Sequence, residues 1–250
     1  MDFNYTKIRI GNILYKYFFP LYNISYSKFK NKNDKTEINV LKSIIKPGDN
    51  ILDIGSNIGF YAKILSSLTG KTGVVYCFEP DTLNFKHLKK NTKNISNIVL
   101  FNNAVSDKEQ VLKVYRSKLL NVDHRTYPVN NYDNVEEIKA VSIDELIRSK
   151  EIKNISVIKI DIQGYELTAF KGMQQLLSTG NDLKIIAEYW PHGFKRAGTT
   201  AVEFFDFFHE LHYHFYMIDE KPHKKISREY IIENIDKPFE FSFNVLITKE

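Results

Sequence analysis

The sequence predicts an α/β fold: a mostly parallel sheet with helices on both faces and an antiparallel strand near the C-terminus. Three observations predict it. The runs Asn50–Ile54, Val74–Glu79, Ser156–Asp161 and Leu183–Tyr189 are short and almost wholly apolar, as in strands buried on both faces. Stretches of helical spacing stand between them, as at Ile58–Leu68 and Thr82–Asn91. Gly55 and Gly59 follow the first run at once, so strand, glycine turn and helix succeed one another as in the first βα unit of a nucleotide-binding sheet.

The totals bound the rest. A chain of 250 residues holds one α/β domain with a sizeable core and a short extension. We divide it into an N-terminal helical extension, residues 1–45, and a main domain, residues 46–250. A net charge of +5 permits an anionic substrate or a membrane surface and is too weak to demand nucleic acid. The single cysteine, Cys77, excludes a disulfide framework and a Cys-based zinc site, which points to a reducing compartment, the cytoplasm. There is no signal peptide pattern. The apolar stretch Tyr15–Ile24 is broken by Lys16 and Pro20 and is too short for a membrane span.

In the extension, Ile8, Ile10, Ile13, Leu14, Tyr17 and Phe18 have helical spacing, with Lys7, Arg9 and Lys16 between them. They predict a helix packed on the main domain; the alternative is a basic, aromatic surface in peripheral contact with a membrane or glycolipid. Tyr22–Asp34, polar and rich in Lys and Asn, reads as a loop, and Thr36–Ile45 as a helix.

The turn after the first strand reads Gly55-Ser56-Asn57-Ile58-Gly59, a G-x-N-x-G spacing rather than the dinucleotide G-x-G-x-x-G. A smaller, positively charged adenosine ligand suits it better than a pyrophosphate. Gly55 permits the turn and close approach of a ligand, and Gly59 lets the helix start lie close to the strand. Asp53 ends the strand with acceptor oxygens. Glu79-Pro80 ends the second strand, where a carboxylate can accept from both hydroxyls of a ribose. Asn103 and Ala104 lie near the end of the third strand, Ile98–Val105, beside the place of an adenine; Asn103 or Asp107 could read the amino group of the base.

Val111–Tyr115 and Ile138–Val141 read as further strands. Between them Arg116–Glu137 is a long polar insert containing Asp123-His124-Arg125, a substrate loop or a solvated one. Ser142 reads as a helix N-cap with Glu145 three residues on. Asp161 closes the fourth strand and points into the crevice at the carboxyl ends. Glu166, at the start of the next helix, reads as structural. Glu188 and Trp190-Pro191-His192-Gly193 follow the fifth, where the turn is a candidate substrate wall. Tyr213–Ile218 and Phe239–Thr248 fit a terminal antiparallel hairpin. The intervening Lys221, His223, Lys224 and Lys225 read as a solvated basic turn.

Taken in order, KPGDNILDIGSNIGFYA, VVYCFEPD, NNAVSD, NVDHRTY, VSIDELI, IKIDIQGYELTAFKGM and AEYWPHGF resemble the FkbM-type family of S-adenosylmethionine-dependent methyltransferases. The resemblance covers about residues 40–215. It implies a Rossmann-like, seven-stranded methyltransferase sheet and methyl transfer to a hydroxyl of a sugar, surface glycan or glycolipid, or other small natural product. It gives Asp53, Gly55, Ser56, Asn57, Gly59, Glu79, Pro80, Asn103, Ala104 and Asp161 to the cofactor, S-adenosylmethionine. Some related sugar O-methyltransferases hold a divalent cation after the fourth and fifth strands, where this chain has Asp161 and Glu188; Mg²⁺ is the ion implied. This chain has Gly164 and Tyr189 where those enzymes place a base and a second acid.

A hydroxyl needs a base near neutrality or a cation to lower its pKa. His124 and His192, on predicted ligand-side loops, are the candidates for that base, with Arg125 to fix a polar acceptor and Asp161 beside the reacting centre. Three other readings use a similar fold: a nucleic-acid methyltransferase, an aminopropyl transferase, and a non-catalytic cofactor-binding module that recruits a partner. Scattered charge disfavours nucleic acid, and mixed ligand-side loops disfavour a polyamine pocket.

Overall fold

A computed structural model describes residues 3–117, 124–125, 132–180, 182–218 and 223–249. In chain order the strands are β1 (Asn50–Ile54), β2 (Val75–Phe78), β3 (Ile98–Phe101), β4 (Ala104–Val105), β5 (Gln110–Ser117), β6 (His124–Arg125), β7 (Tyr132–Val141), β8 (Ile155–Ile160), β9 (Lys184–Tyr189), β10 (His214–Met217), β11 (Lys224–Ile226) and β12 (Phe243–Thr248). The main sheet runs β11-β10-β12-β9-β8-β1-β2-β3, eight strands rather than seven. The five from β3 to β9 are parallel, and β12 pairs antiparallel with both β9 and β10. The expected terminal hairpin is therefore present. The extra strand is β11, which takes Lys224 and Lys225 out of the expected basic turn and pairs them antiparallel with β10.

A second sheet, β4-β7-β5-β6, stands apart. The run read as one third strand, Ile98–Val105, breaks after Phe101, and Ala104–Val105 joins this second sheet. The expected strands at Val111 and Ile138 pair with each other over a longer span, so the ends of the polar insert are ladder rather than loop. Residues 118–123 and 126–131 of that insert lie outside the described residues.

The helices are α1 (Phe3–Tyr17), α2 (Phe19–Asn33), α3 (Lys35–Ile44), α4 (Phe60–Thr69), α5 (Thr82–Thr92), α6 (Ile143–Arg148), α7 (Glu166–Lys171), α8 (Gln174–Thr179), α9 (Pro191–Arg196), α10 (Ala201–Glu210) and α11 (Arg228–Glu233). The polar stretch read as a loop at Tyr22–Asp34 is α2. Its weak amphipathicity hides a ladder of aromatic residues: Phe19, Tyr22 and Tyr26 pack along it from the His87 ring towards Phe60. Tertiary packing decides here, as it does for most protein helices. Ser142 precedes α6 as expected, but its hydroxyl donates to the Gly172 carbonyl oxygen (2.9 Å) instead of capping.

Strand side chains alternate between faces. Leu52, Ile54, Phe78, Ile158 and Ile160 join Phe170, Phe204 and Phe208 in one core. Ile51, Val75, Cys77 and Val157 join Leu41, Ala62 and Leu65 in the other. The second face also carries Asp53, opposite Cys77 and Lys159 in the ladder. An apolar face thus becomes charged one pleat before the strands end.

Candidate functional site

The chain moves outward from β1 to β2 and β3, then returns to β8 on the other side of β1. Ligands bind at the carboxyl ends beside such a reversal. Gly55 leaves β1 there, its N–H donating to the Phe78 carbonyl, while the Asp161 N–H donates to the Ile54 carbonyl. Gly55 has φ +84°, and a Cβ on it would lie 2.1 Å from the Asp161 carbonyl oxygen. Its immediate duty is to admit the β8 loop. Over this junction lies a cavity of about 290 Å³, bordered by Gly55, Ser56, Asn57, Glu79, Pro80, Asn103, Ala104 and Asp161.

At the β2 end, backbone fixes the acid. Glu79 Oε2 accepts from the Asn57 N–H (2.8 Å) and Oε1 from the Asp81 N–H (2.9 Å). Asn57 holds φ +50°, a region that Asn tolerates better than most residues, and this aims its N–H at Glu79. Burial, then the Asp81 charge, pushes the Glu79 carboxyl up to about 8 against those bonds. Asn102 donates to the carbonyls of Glu79 and Pro80 and holds the loop. Asp81 accepts from the Asn84 N–H and caps α5.

At the β8 end, side chains hold side chains. Lys159 is buried, with Nζ 3.8 Å from Glu37 Oε1 and 4.1 Å from the Tyr61 ring centre. Burial works against its ammonium, but Glu37, Asp161 and Asp53 outweigh it and hold the pKa above the ordinary value. Tyr61 Oη lies 2.7 Å from both Glu37 Oε2 and Asp34 Oδ2, and Asn244 Nδ2 donates to Glu37 Oε2 (2.8 Å). Lys30 pairs with Asp34. Burial would raise the Asp161 carboxyl, yet Lys159, Lys30 and the Gln163 amide bring it below its ordinary range, so it stays ionised.

The same Gln163 amide donates to Asp161 Oδ1 (3.0 Å) and Glu188 Oε2 (3.3 Å), standing between the two expected metal ligands. Burial, then Asp161 and Glu166, raises Glu188 to about 8. The Gln163 amide thus bridges the two carboxylates at the place of the implied divalent cation. Among the described residues no cluster of three or more His, Cys, Asp or Glu could hold a metal ion.

Other expected residues fall outside the cavity wall. Asp53 lies beneath it, fully buried, with Oδ1 unpartnered and its carboxyl raised by burial to about 6. Gly59 (φ +89°) admits Leu88 of α5 rather than the strand: a Cβ there would lie 2.8 Å from Leu88 Cδ1. Glu166, expected to be structural, is buried and accepts from the Ile162 N–H (3.0 Å). The Trp-Pro-His-Gly turn is the first turn of α9 and not a wall of the cavity. Trp190 Nε1 donates to the Phe239 carbonyl, and the His192 ring packs against Trp190 and Phe239 with Nδ1 buried and unpartnered. His124 and Arg125 form β6 and pair with Arg116 and Tyr115 of β5; Val114 of β5 borders the cavity. The His124 and Arg125 side chains lie outside the described residues.

The sequence reading passed over Tyr26, Phe29 and Lys30 of α2, and Tyr61, Lys159 and Tyr165, all of which border the cavity. Two signals were there. Lys159 interrupts a run that is otherwise apolar, where an unpaired lysine is costly. Glu37 occupies the buried face of α3 beside Ile38, Val40 and Leu41.

A family model, the methyltransferase FkbM domain, matches residues 53–215. This chain belongs to the FkbM methyltransferase family. The match contains the glycine turn, Glu79, Asp161 and the second sheet, and leaves α1–α3 outside it. A hexuronic acid methyltransferase, AglP of Haloferax volcanii, is 28% identical over 151 residues, an alignment that spans 60% of each chain. The crystal structure of a putative rRNA-methylase from Clostridium thermocellum covers 85% of this chain and 92% of its own at 13% identity, with a TM-score of 0.52. That is a likeness of fold alone. An FkbM methyltransferase structure from Methylobacillus flagellatus covers 84% of this chain and 50% of its own, at 16% identity and a TM-score of 0.48.

Proposed function

We propose that this chain is an S-adenosylmethionine-dependent O-methyltransferase acting on a sugar hydroxyl, in a surface glycan, a glycolipid or another small natural product. The observation that carries the reading is Glu79: a buried carboxylate at the carboxyl end of β2, bordering the cavity, with each oxygen held by one backbone N–H and lone pairs left to accept from a ribose diol. Ala104 is small enough for a base to stack on, and Asn103 stands beside it. Asp161, ionised, provides a negative wall for a cationic donor. The sugar acceptor is supported by the hexuronic acid relative.

When bound, S-adenosylmethionine supplies a methyl group already activated as a sulfonium, so the protein's work is alignment and management of one proton. Gly55–Asn57 and Glu79 orient the nucleoside. Asp161 accepts hydrogen bonds at the methionine end. Tyr26 and Phe29 of α2 form the rim and help to exclude water. Of the two candidate bases the reading favours His124, with Arg125 to fix the acceptor: β6 pairs with β5, whose Val114 borders the cavity, while the His192 ring packs on Trp190 and Phe239.

Calorimetric titration with S-adenosylmethionine and with S-adenosylhomocysteine tests the donor. Both should bind, and Glu79→Gln should weaken both. Transfer of labelled methyl to uronic-acid oligosaccharides, neutral oligosaccharides and RNA tests the acceptor, with saccharide-dependent labelling expected. Absence of heat with either nucleoside overturns the reading, and labelling of RNA alone replaces it with the nucleic-acid one.

A further inference from the structure

Helices α1 and α2 divide their apolar side chains between two sides. Tyr15, Phe19, Tyr22 and Tyr26 turn inward and stack towards His87 and Phe60. Ile10, Ile13 and Tyr17 of α1, and Leu21, Ile24 and Phe29 of α2, turn outward and are between 46% and 65% exposed. At 3.6 residues per turn, Ile10, Ile13 and Tyr17 share an arc of about 60°, and Leu21, Ile24, Lys28 and Lys32 one of about 80°. Lone exposed apolar residues are ordinary; two ordered stripes on neighbouring helices are not.

Charge selects the occupant. From Phe3 to Asn33 the chain has Lys7, Arg9, Lys16, Lys28, Lys30 and Lys32 and no Asp or Glu. Lys16, Lys28 and Lys32 are exposed. Lysines interleaved with outward Leu, Ile, Phe and Tyr suit an anionic bilayer: the apolar groups enter the acyl boundary and the ammonium groups remain among the headgroups. Phe29, exposed and bordering the cavity, stands about 60° round the helix from Lys32, between this stripe and the inward aromatic row, so the cavity mouth adjoins the stripe on α2. We infer that α1 and α2 form an interfacial docking face for an anionic membrane, one that brings the mouth of the cavity to the headgroup plane. No helix among the described residues is long and apolar enough to cross a membrane.

The test is co-sedimentation of the full chain with vesicles of phosphatidylcholine alone and with about a quarter phosphatidylglycerol. Binding is expected to the anionic vesicles only, and to fall steeply with added salt. Leu21→Ser with Ile24→Ser, and separately Lys28→Glu with Lys32→Glu, should each lower the partition at least about tenfold. Far-UV circular dichroism should show both variants folded; these positions do not border the cavity, and a single misfolded variant leaves the other to decide. Absence of binding to anionic vesicles, equal binding to both vesicle types, or unchanged binding by folded variants overturns the inference. So does a wild-type dimer in sedimentation velocity that Leu21→Ser with Ile24→Ser converts to monomer, because a second copy would then cover the face. The measurement involves no methyl transfer, so failure of the donor titrations leaves it standing.

Discussion

The two ends of the cavity are built differently. Over β2, Glu79 is held by backbone N–H groups of Asn57 and Asp81, from two short turns. Over β8, Lys159 and Asp161 are held by side chains from α2, α3, α4 and β12, and one bond of that network, Asn244 to Glu37, joins positions 207 apart in the chain. The first end depends on local conformation. The second exists only when remote elements have docked, and it also ties the N-terminal helices to the sheet. The boundary drawn at residue 45 from sequence therefore passes through the wall of the cavity. We propose that α1–α3 and the α/β sheet act as one unit.

The largest expected effect is at the side-chain end. Lys159→Met leaves Glu37 buried without its cation and should lower unfolding free energy by about 3–5 kcal/mol in urea denaturation, with partial recovery in the double variant Lys159→Met with Glu37→Leu. Gly55→Ala breaks the seam between the two ends: positive φ and contact with the Asp161 carbonyl should lower stability by about 2–3 kcal/mol and abolish nucleoside binding in calorimetry. Glu79→Gln sharpens the contrast. It should weaken nucleoside binding by about 1.5–3 kcal/mol, while Glu188→Gln, outside the cavity wall, leaves it within about twofold.

Proton linkage gives a smaller, distributed effect. Glu79 is about 8 when folded against an ordinary 4.5, so the folded state holds the proton after the unfolded chain has lost it. Its stabilising contribution is complete below 4.5 and declines as pH rises towards 8, by up to about 1.4 kcal/mol per pH unit. Asp53 at about 6 and Glu166 at about 7 add in the same sense. Denaturation midpoints should fall between those limits, and nucleoside binding near neutrality should release a proton, read as binding heat that changes with buffer ionisation enthalpy. The smallest effect is at His192. His192→Ala should change turnover by less than about threefold, because the ring packs between Trp190 and Phe239 away from the cavity. A histidine-dependent loss of turnover should appear only in His124→Ala.

The sequence by itself determined the parallel sheet, the glycine turn and the acids at the strand ends, because strand period, turn chemistry and carboxyl-end placement are local rules that survive any packing. It did not determine α2, whose polar composition hides an inward aromatic ladder, nor the break after Phe101 that sends Ala104 and Val105 to a second sheet. Only the tertiary structure decided which groups meet at the β8 end: that Glu37 reaches Lys159, that Gln163 stands between Asp161 and Glu188, and that His192 packs on Trp190 and Phe239. Those outcomes depend on which distant element docks over a buried charge, and the cost of leaving that charge unpaired selects the partner without any spacing in the sequence to announce it.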